Sequence, residues 1–560
     1  MNMRKAIYTL LLLPLMALTG CVNDGLEPCP SAPSDTPAGY LELTVTTGGT
    51  TASRANPTGG EEGDGPEHGR NNENTIHNLT IFVYADKDGL GLDSDENEIV
   101  WSKYVDAATI EDSTPDFPLD HIYNVRIPLA DTDFQSFRPE QGTTLRAAFV
   151  ANAGDLSRRF NNVYDLRGAD FGDIGDAWKQ PADGSAVDKS DYFVMSSAFN
   201  AAKRNDGYAN DGVVNVATNN TEGIVYSCEA TLERVAARID LEYSDAQTYN
   251  PDDGTLVYTI AGTSADAPRK VTILNSIPVN LMQTRSYIFK HLTQGVNLDR
   301  TDFLVAADET DNNGIPTNYV VSPNFFQKLL ATNNEDDFTR WFLESRASWL
   351  RSPNNRNSLA SRYEMNSFGE PFDIKSDWTT TTGNRAITIT YSNENTQSMT
   401  EHDSRYITGL LFRAQYNPGK VYDINQQPID YTPGADLYLF RTVADEVREA
   451  SNLYFATADA RSAYIATLPA GGKYETADYP GGICYYNIWI KHANTYTPAD
   501  GNYDEDIPMK YGIVRNNIYR ISLSFNGIGQ PTPEITEPYN ITSRIYVIKW
   551  NFRPQPEIIM

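Results

Sequence analysis

The C-terminal residues 511–560 constrain the fold most, because they hold two β-type segments separated by a break. In the first segment, apolar and polar side chains alternate from Ile518 to Phe525, as in a strand with one buried face. The break at 526–533 contains two glycines and two prolines and is expected to be a flexible linker. The second segment, 541–550, is again β-rich. A strand after such a linker can fold back onto its own domain or pair with another molecule by β-strand addition.

Length and composition indicate an acidic, extracytoplasmic β-protein. The chain has 560 residues, which is too many for one hydrophobic core and predicts two or three domains. The formal net charge of -29 opposes binding to nucleic acid and to anionic membrane surfaces. The 33 tyrosines, together with frequent threonine, isoleucine and valine, favour strands.

Cysteine usage excludes a disulfide scaffold. Two of the four cysteines lie in the leader region, which leaves Cys228 and Cys484 for the folded part. Both stand in apolar runs, so we predict two buried free thiols.

The N-terminus is predicted to be a targeting segment. A positively charged start and an apolar run precede Leu18-Thr-Gly-Cys21, which resembles a bacterial lipobox. That resemblance implies a signal peptide at 1–20 and acylation of Cys21. The apolar run is too short for a permanent membrane helix. Residues 21–39, rich in proline, serine and aspartate, are predicted to be a tether.

Residues 40–47 predict the first strand, since their alternation places three aliphatic side chains on one face: Leu41, Leu43 and Val45. The segment that follows, 48–74, is rich in glycine, asparagine and acids. It contains Arg54, followed by Ala55, in a context that a trypsin-like protease would cut easily.

The remaining pattern predicts an all-β pair of domains with inserted helices. Further strands are predicted at 76–84, 123–128, 144–151, 193–197, 256–260, 271–281, 386–391, 406–416 and 485–491. Residues 232–241 fit a helix or a strand, and their β-rich neighbourhood favours a strand. Helices are predicted at 324–331 and 336–350, and 436–450 is ambiguous.

No motif predicts catalysis. The acidic loop 86–98 superficially resembles a calcium loop, but the EF-hand spacing fails whether it is counted from Asp86 or from Asp93. We therefore predict a solvated turn. The six histidines lack metal-ligand spacing, and nucleophile-elbow, Walker and Rossmann patterns are missing. Abundant acids alone do not define a glycosidase site. We predict no enzyme, no cofactor and no metal site.

Several segments together resemble a known family, and they are Leu232–Arg238, Tyr406–Pro418, Gly482–Tyr486, Val514–Tyr519 and Ile545–Trp550. They resemble the fimbrillins of Bacteroidales type V pili, most closely the Mfa-type major subunits of short fimbriae. The similarity is strongest at Val514–Tyr519. The family ends its last strand in Pro-Trp, and here Lys549 takes the place of the proline.

The resemblance implies a fold and a maturation route. It implies two transthyretin-like β-sandwich domains and export as a lipoprotein to the cell outer membrane. It further implies that an Arg-specific surface protease cuts between Arg54 and Ala55, so that residues 40–54 leave. The C-terminal segment of another copy would then fill the emptied groove by donor-strand exchange.

The predicted limits are a signal peptide at 1–20, a tether at 21–39, an N-terminal β-sandwich at 40–245, a C-terminal β-sandwich at 246–533 and a strand or donor arm at 534–560. The donor-strand candidates are apolar residues of this last segment: Ile541, Ile545, Val547, Ile548, Trp550, Ile558 and Ile559. An alternative remains open, in which 541–550 completes its own domain and only 551–560 is donated.

The sequence therefore predicts a structural stalk subunit of a surface-exposed fimbrium. Its expected partners are other copies of itself, fimbrial tip and anchor subunits, the Arg-specific protease, and the outer membrane through lipid on Cys21 before cleavage. Nucleic acid is excluded. The alternative is a monomeric surface lipoprotein that acts as an adhesin or glycan-binding module, or a tip or anchor subunit.

Overall fold

The structure of the protein is a computed structural model. The residues that it describes are 39–47, 66–68, 71–89, 91–94, 96–112, 122–137, 142–171, 193–197, 212–219, 223–244, 247–250, 252, 255–260, 267–279, 286–290, 305–310, 316–319, 322, 372–376, 379–395, 407–442, 452–469, 472–492, 511–533 and 540–551.

Strands dominate the described residues. The first of them are β1 (Gly39–Thr47), β2 (Pro66–His68), β3 (Asn78–Asp86), β4 (Ile99–Asp106), β5 (Ile110–Asp112), β6 (Ile122–Leu129), β7 (Thr144–Ala151), β8 (Asp170–Phe171), β9 (Met195–Ser197), β10 (Asn215–Asn219), β11 (Gly223–Arg234), β12 (Ala237–Ser244), β13 (Thr248–Asn250), β14 (Thr255–Thr259) and β15 (Lys270–Val279). The later ones are β16 (Ser286–Tyr287), β17 (Val305–Thr310), β18 (Pro316–Tyr319), β19 (Phe372–Ser376), β20 (Thr379–Ser392), β21 (Gly409–Asn417), β22 (Lys420–Tyr422), β23 (Pro428–Asp430), β24 (Leu437–Thr442), β25 (Asn452–Phe455), β26 (Tyr474–Tyr479), β27 (Ile483–Trp489), β28 (Asn517–Phe525) and β29 (Ile541–Asn551).

Helices are short. They are α1 (Asn71–Asn74), α2 (Asp131–Ser136), α3 (Val163–Gly168) and α4 (Ala458–Ile465), with 3-10 turns at Gly91–Asp93, Ala107–Thr109 and Pro480–Gly482. In the described part of the chain, no helix has the length and apolar character needed to cross a membrane. The predicted all-β class is confirmed.

Sheet A forms the N-terminal part and has the strand order β4-β3-β7-β9-β11-β1-β6-β5, with β10 also paired to β11. Side chains from strands in both halves of this sheet enter one core, as in a β-sandwich. A second apolar cluster covers the other face of β3 and β7, and it includes α3 and the residues after β16. Because β3 and β7 are buried on both faces, their sequences do not alternate.

Sheets B and C form the C-terminal part. Sheet B has the order β19-β20-β12-β28-β29-β2, and sheet C has the order β13-β14-β15-β21-β27. Both contribute to one core, for example through Leu241 and Ile521 from sheet B and Ile273 and Phe412 from sheet C. The predicted domain limits remain predictions, but β12 belongs to sheet B and not to sheet A.

An insertion between β21 and β27 forms sheet D, with the order β23-β22-β25-β24-β26. One face joins the C-terminal core through Leu437 and Leu439. The other face is covered by α4, where the Tyr464 ring lies 5.1 Å from Phe440 and 5.4 Å from Phe455, measured between centroids. The insertion is therefore a third packed layer.

Most strand predictions match the described elements within a few residues. Residues 232–241 are extended, as favoured, but they contain the end of β11 and the start of β12 with a break at Val235 and Ala236. Residues 437–442 of the ambiguous segment form β24. The predicted helices at 324–331 and 336–350 lie outside the described residues. Cys228 and Cys484 are buried free thiols, as predicted.

The prediction of a solvated turn at 86–98 is wrong. Asp86 is only 4% exposed, and Arg146 on β7 donates to it from Nε at 2.8 Å. The carboxylate also accepts the backbone N–H groups of Gly89 at 2.9 Å and Gly91 at 3.2 Å. The acid is thus a buried, hydrogen-bonded support of the turn. Among the described residues, no cluster of His, Cys, Asp or Glu could hold a metal ion.

The break at 526–533 ends β28, as predicted, but it is packed and not flexible. Tyr486 Oη donates to the carbonyl of Gly527 at 2.7 Å, and Tyr479 Oη donates to that of Gly529 at 3.0 Å. A Cβ atom on Gly529 would lie 2.4 Å from a backbone oxygen, so only glycine allows this close approach.

Candidate assembly site

Strand β1 lies in the middle of sheet A and is paired along both edges. Its nine residues pair in parallel with 224–232 of β11. Residues 39–46 pair in antiparallel orientation with 122–129 of β6. If β1 were removed, two hydrogen-bonded ladders would be lost and both neighbours would keep unpaired backbone edges.

Apolar burial holds β1 in place. Leu41, Leu43 and Val45 are at most 2% exposed and lie in the core of sheet A. On the outer face, Arg126 Nε lies 3.2 Å from Glu42 Oε1, and both side chains are 46% exposed. Each buried aliphatic side chain stabilises by about 1.5–3 kcal/mol, whereas an exposed ion pair contributes about 0–1 kcal/mol. Emptying the groove would therefore expose an apolar surface.

Strand β29 pairs within the same chain. Residues 541–549 form an antiparallel ladder with 517–525 of β28, and Ile541 and Ile545 are buried in the C-terminal core. Val547, Ile548 and Trp550 stand in the same strand, and only their backbone positions are described. Ile558 and Ile559 lie outside the described residues. The donor role of all these candidates remains a prediction.

The predicted cut lies between two anchored segments. Cys21, Arg54 and Ala55 are outside the described residues. Upstream of the cut, β1 ends at Thr47. Downstream, β2 pairs in parallel with 549–551 of β29, and α1 follows at once. Cleavage between these segments would separate β1 from the rest of the chain.

A buried charged junction fixes α1 against both sheets. Glu73 is fully buried, and Arg238 on β12 donates from Nη1 to its Oε2 at 2.8 Å. Tyr391 on β20 donates from Oη to its Oε1 at 2.7 Å. Arg238 also pairs with Asp240, from Nη2 to Oδ2 at 2.9 Å. The carboxylate of Glu73 thus binds two strands of sheet B.

Arg234, at the end of β11, joins sheet A to the same junction. Its Nε donates to the backbone oxygen of Glu73 at 2.9 Å, and its Nη1 donates to Asn516 Oδ1 at 3.1 Å. Its Nη2 donates to Asn74 Oδ1. Burial lowers the pKa of Arg234 to about 10, so the guanidinium stays charged at neutral pH.

The segment with the strongest family resemblance, Val514–Tyr519, supplies the sheet B side of this junction. Arg515 donates from Nη2 to Glu394 Oε2 at 2.7 Å, and it also binds the carbonyls of Tyr287 and Ile288. Asn516 adopts φ 56, in the left-handed region that asparagine tolerates better than most residues. The side chains of this segment therefore stabilise the junction between sheets A and B.

His492 is buried beside Tyr519. Its Nδ1 lies 2.9 Å from Tyr519 Oη, and its Nε2 lacks a hydrogen-bond partner in the described structure. Tyr519 Oη already accepts the N–H of Val514 at 2.8 Å, so its own hydrogen can be donated to His492. Burial lowers the pKa of His492 to about 4.

This histidine predicts a loss of stability in acid. The unfolded chain binds the proton near pH 6.5, whereas the folded chain binds it only near pH 4. Stability should therefore fall as the pH drops from 6.5 to 4, by about 3 kcal/mol at most. His492→Asn keeps an acceptor for Tyr519 but does not titrate. Urea unfolding at several pH values in this range gives the free energy of unfolding of both proteins. This free energy should fall less steeply with decreasing pH in the variant, and an equal fall in both proteins would contradict the assignment.

The sequence reasoning missed the charged residues of the junction. Glu73, Arg238 and Glu394 were not singled out, although Arg238 and Arg515 lie in segments that carried the resemblance. The available signal was the presence of charged side chains inside otherwise apolar strands, since such groups are seldom fully buried unless they are paired.

Comparisons with known families agree with this organisation. The family model of the major fimbrial subunit protein FimA matches residues 40–227, which contain β1 and most of sheet A. The model of the fimbrillin C-terminal region, from major fimbrial subunit protein type IV, matches residues 477–554, which contain β27, β28 and β29. A search of curated proteins found no match.

The chain also matches solved structures of bacterial proteins. A fimbrilin of Porphyromonas gingivalis is 13% identical over 92% of this chain and 99% of its own, with a TM-score of 0.33. A putative cell adhesion protein of Parabacteroides distasonis is 13% identical over 92% of this chain and all of its own, with a TM-score of 0.34. The tip fimbrial protein Mfa3 of Porphyromonas gingivalis is 10% identical over 91% of this chain, all of its own length is covered, and the TM-score is 0.30.

The two family models match opposite ends of one chain, over strands of sheet A and over the last strands of sheets B and C. In these two regions the chain is similar to the major fimbrial subunit proteins that the models describe.

Proposed function

We propose that this chain is a stalk subunit that polymerises by exchanging strand β1 for the C-terminal segment of another copy. The observation that carries the proposal is the position of β1, which is paired on both edges and buried on one face, yet is linked to the rest of the chain only through residues 48–65. One cut in that link frees a complete central strand.

An emptied groove favours a replacement strand. Loss of β1 exposes apolar side chains of β6 and β11, such as Val125 and Ile127, and leaves both backbone edges unpaired. A β-strand from a second copy would bury the same surface, at about 25 cal/mol per Å², and restore the two ladders. Because donor and acceptor surfaces differ, repetition gives an open filament.

The maturation route follows from the same reading. The chain would leave the cell as a lipoprotein acylated at Cys21 and reach the outer membrane surface. An Arg-specific protease would then cut after Arg54 and release residues 40–54 with the lipid anchor. Fimbrial tip and anchor subunits would complete the fibre.

The test takes the wild-type protein and the Arg54→Gln variant from the cell surface and determines the N-terminal residue and the native size of each. We expect the wild-type chain to begin at Ala55 and to form detergent-resistant multimers, whereas Arg54→Gln remains a lipidated monomer. Arg159→Gln, at an exposed turn arginine, is the matched control and should polymerise normally. A start at Asn71 would move the cut to Arg70. Multimers of uncut Arg54→Gln would refute exchange after cleavage.

A tip or anchor subunit is the second candidate, and the pairing of β29 favours it. This strand completes sheet B of its own chain over residues 541–549, so it is not a free donor in the structure. A subunit of this kind would keep β29 in place and would not self-polymerise after cleavage. Purified protein cut in vitro therefore distinguishes the two, because only a stalk subunit forms multimers without other fimbrial proteins.

A further inference from the structure

We propose that the connection between β11 and β12 is a force-transmitting joint, locked by Glu73, that carries tension from the groove of sheet A to the C-terminal strand. The inference rests on the proposed function, since only a polymerised stalk subunit is pulled at both places. It concerns how the subunit stays rigid under load, which strand exchange by itself does not provide.

The strand order defines a short path for the force. β11 borders β1 along its whole length and ends at Arg234. Two residues, Val235 and Ala236, separate it from β12. β12 pairs in parallel with β28, and β28 pairs with β29. A pull on the strand in the groove therefore reaches the C-terminal strand through three ladders and one two-residue connection.

Without further contacts, a two-residue connection between two sheets would act as a hinge, because hinges are a few terminal residues that absorb backbone rotation. Here it is held from three sides. Arg234 before it binds the carbonyl of Glu73, and Arg238 after it binds the carboxylate of Glu73. The N–H of Asn516 donates to the carbonyl of Ala236 at 2.9 Å.

Burial makes this lock stronger than a surface ion pair. Glu73, Arg234 and Arg238 are at most 1% exposed, so water does not compete for their hydrogen bonds. Opening the joint would separate charges inside the protein and leave them unpaired, which is costly. Tension must break this cluster before the two sheets can swing apart.

The lock survives the proposed maturation. Glu73 follows the predicted cut at Arg54 and lies in α1, which stays with the mature chain when β1 leaves. An equivalent contact from β1 would be lost at the moment of assembly. The chain thus takes its locking carboxylate from α1, the first described helix downstream of the predicted cut.

Single-molecule pulling on isolated, uncut Arg54→Gln protein tests the joint in two geometries. Handles at Glu229→Cys on β11 and Ser543→Cys on β29, both exposed positions, load it. Handles at Asp430→Cys and Ser543→Cys both lie on the C-terminal side and bypass it. Cys228 and Cys484 are buried and so should not take up handles, and Cys29→Ser removes the competing thiol that the uncut chain retains.

When the handles load the joint, we expect Glu73→Gln to shorten the lifetime of the folded protein at constant force by on the order of a hundredfold, because a buried ion pair is lost. The bypass geometry should change little. Tyr391→Phe removes one hydrogen bond to Glu73 and is expected to give about a tenfold effect in a chain that remains folded.

Equal shortening in both geometries would mean general destabilisation and would overturn the joint. Unchanged lifetimes across the joint in both variants would do the same. The measurement uses monomers, so it is independent of the polymerisation assay. If Glu73→Gln shortens the lifetime across the joint but the wild-type chain never polymerises, the proposed function alone is refuted. If the wild-type chain polymerises normally but Glu73→Gln leaves the lifetime across the joint unchanged, only this inference is refuted.

Discussion

Glu394→Gln is expected to lower the free energy of unfolding by about 3–5 kcal/mol, because it leaves a buried guanidinium without its counter-charge. Glu394 and Arg515 are at most 1% exposed, and their Oε2 and Nη2 atoms lie 2.7 Å apart. Arg515 also donates to the carbonyl of Ile288 at 2.9 Å, so it cannot turn towards solvent without losing that bond. Urea unfolding of the uncut chain, followed by circular dichroism, measures the loss.

The matched control is Glu42→Gln, the same substitution in an ion pair whose side chains are each 46% exposed. Solvent screens that pair, and the expected change is within about 1 kcal/mol. Combining Glu394→Met with Arg515→Met removes both charges together, so the double variant should lose less than the sum of the two single variants. Equal effects of Glu394→Gln and Glu42→Gln would show that the buried pair is not held as described.

The strand content was predictable because many strands have one buried face. In β1, the alternation of Leu41, Leu43 and Val45 with polar residues leaves little choice of structure. The same rule works for β6, where Tyr123 to Leu129 alternate between buried and exposed positions. In β3 the alternation of Leu79, Ile81 and Val83 predicted one apolar face, but the structure buries both faces of the strand.

The buried junction was not predictable from local pattern. Arg238 and Glu73 are 165 positions apart, and only the fold brings them together. Asp86 illustrates the same difficulty, because an acid in a glycine-rich loop is usually solvated, and the partner that buries it, Arg146, comes from another strand. The burial of a charged residue depends on a partner that the fold brings to it, whereas the burial of an apolar residue follows from periodicity along the chain.

The pairing of β29 also had to come from the structure. An apolar strand after a proline-rich break is compatible with either internal pairing or donation, and composition does not separate them. The ladder between β28 and β29 places Ile541 and Ile545 in the chain's own core. Donation of this strand would therefore require it to leave that core first, whereas a donor that begins after Asn551 would not.

Leu41→Ala and Leu129→Ala are expected to have similar effects before cleavage and different effects after it. Both side chains are fully buried in the core of sheet A, Leu41 on β1 and Leu129 on β6. In the uncut Arg54→Gln background, each substitution should lower the free energy of unfolding by about 2–5 kcal/mol, through lost burial and the cavity left behind. Urea unfolding measures this.

In the proposed exchange, Leu41 would leave with β1 after cleavage, whereas Leu129 would still line the groove that receives the donor strand. Multimers of the cut Leu41→Ala protein should therefore resist heat and detergent as the wild type does, and multimers of the Leu129→Ala protein should dissociate at a lower temperature. Gel electrophoresis after graded heating reads out the difference. If Leu41→Ala weakens the multimers as much as Leu129→Ala does, β1 has remained in the subunit and strand exchange at this groove is refuted.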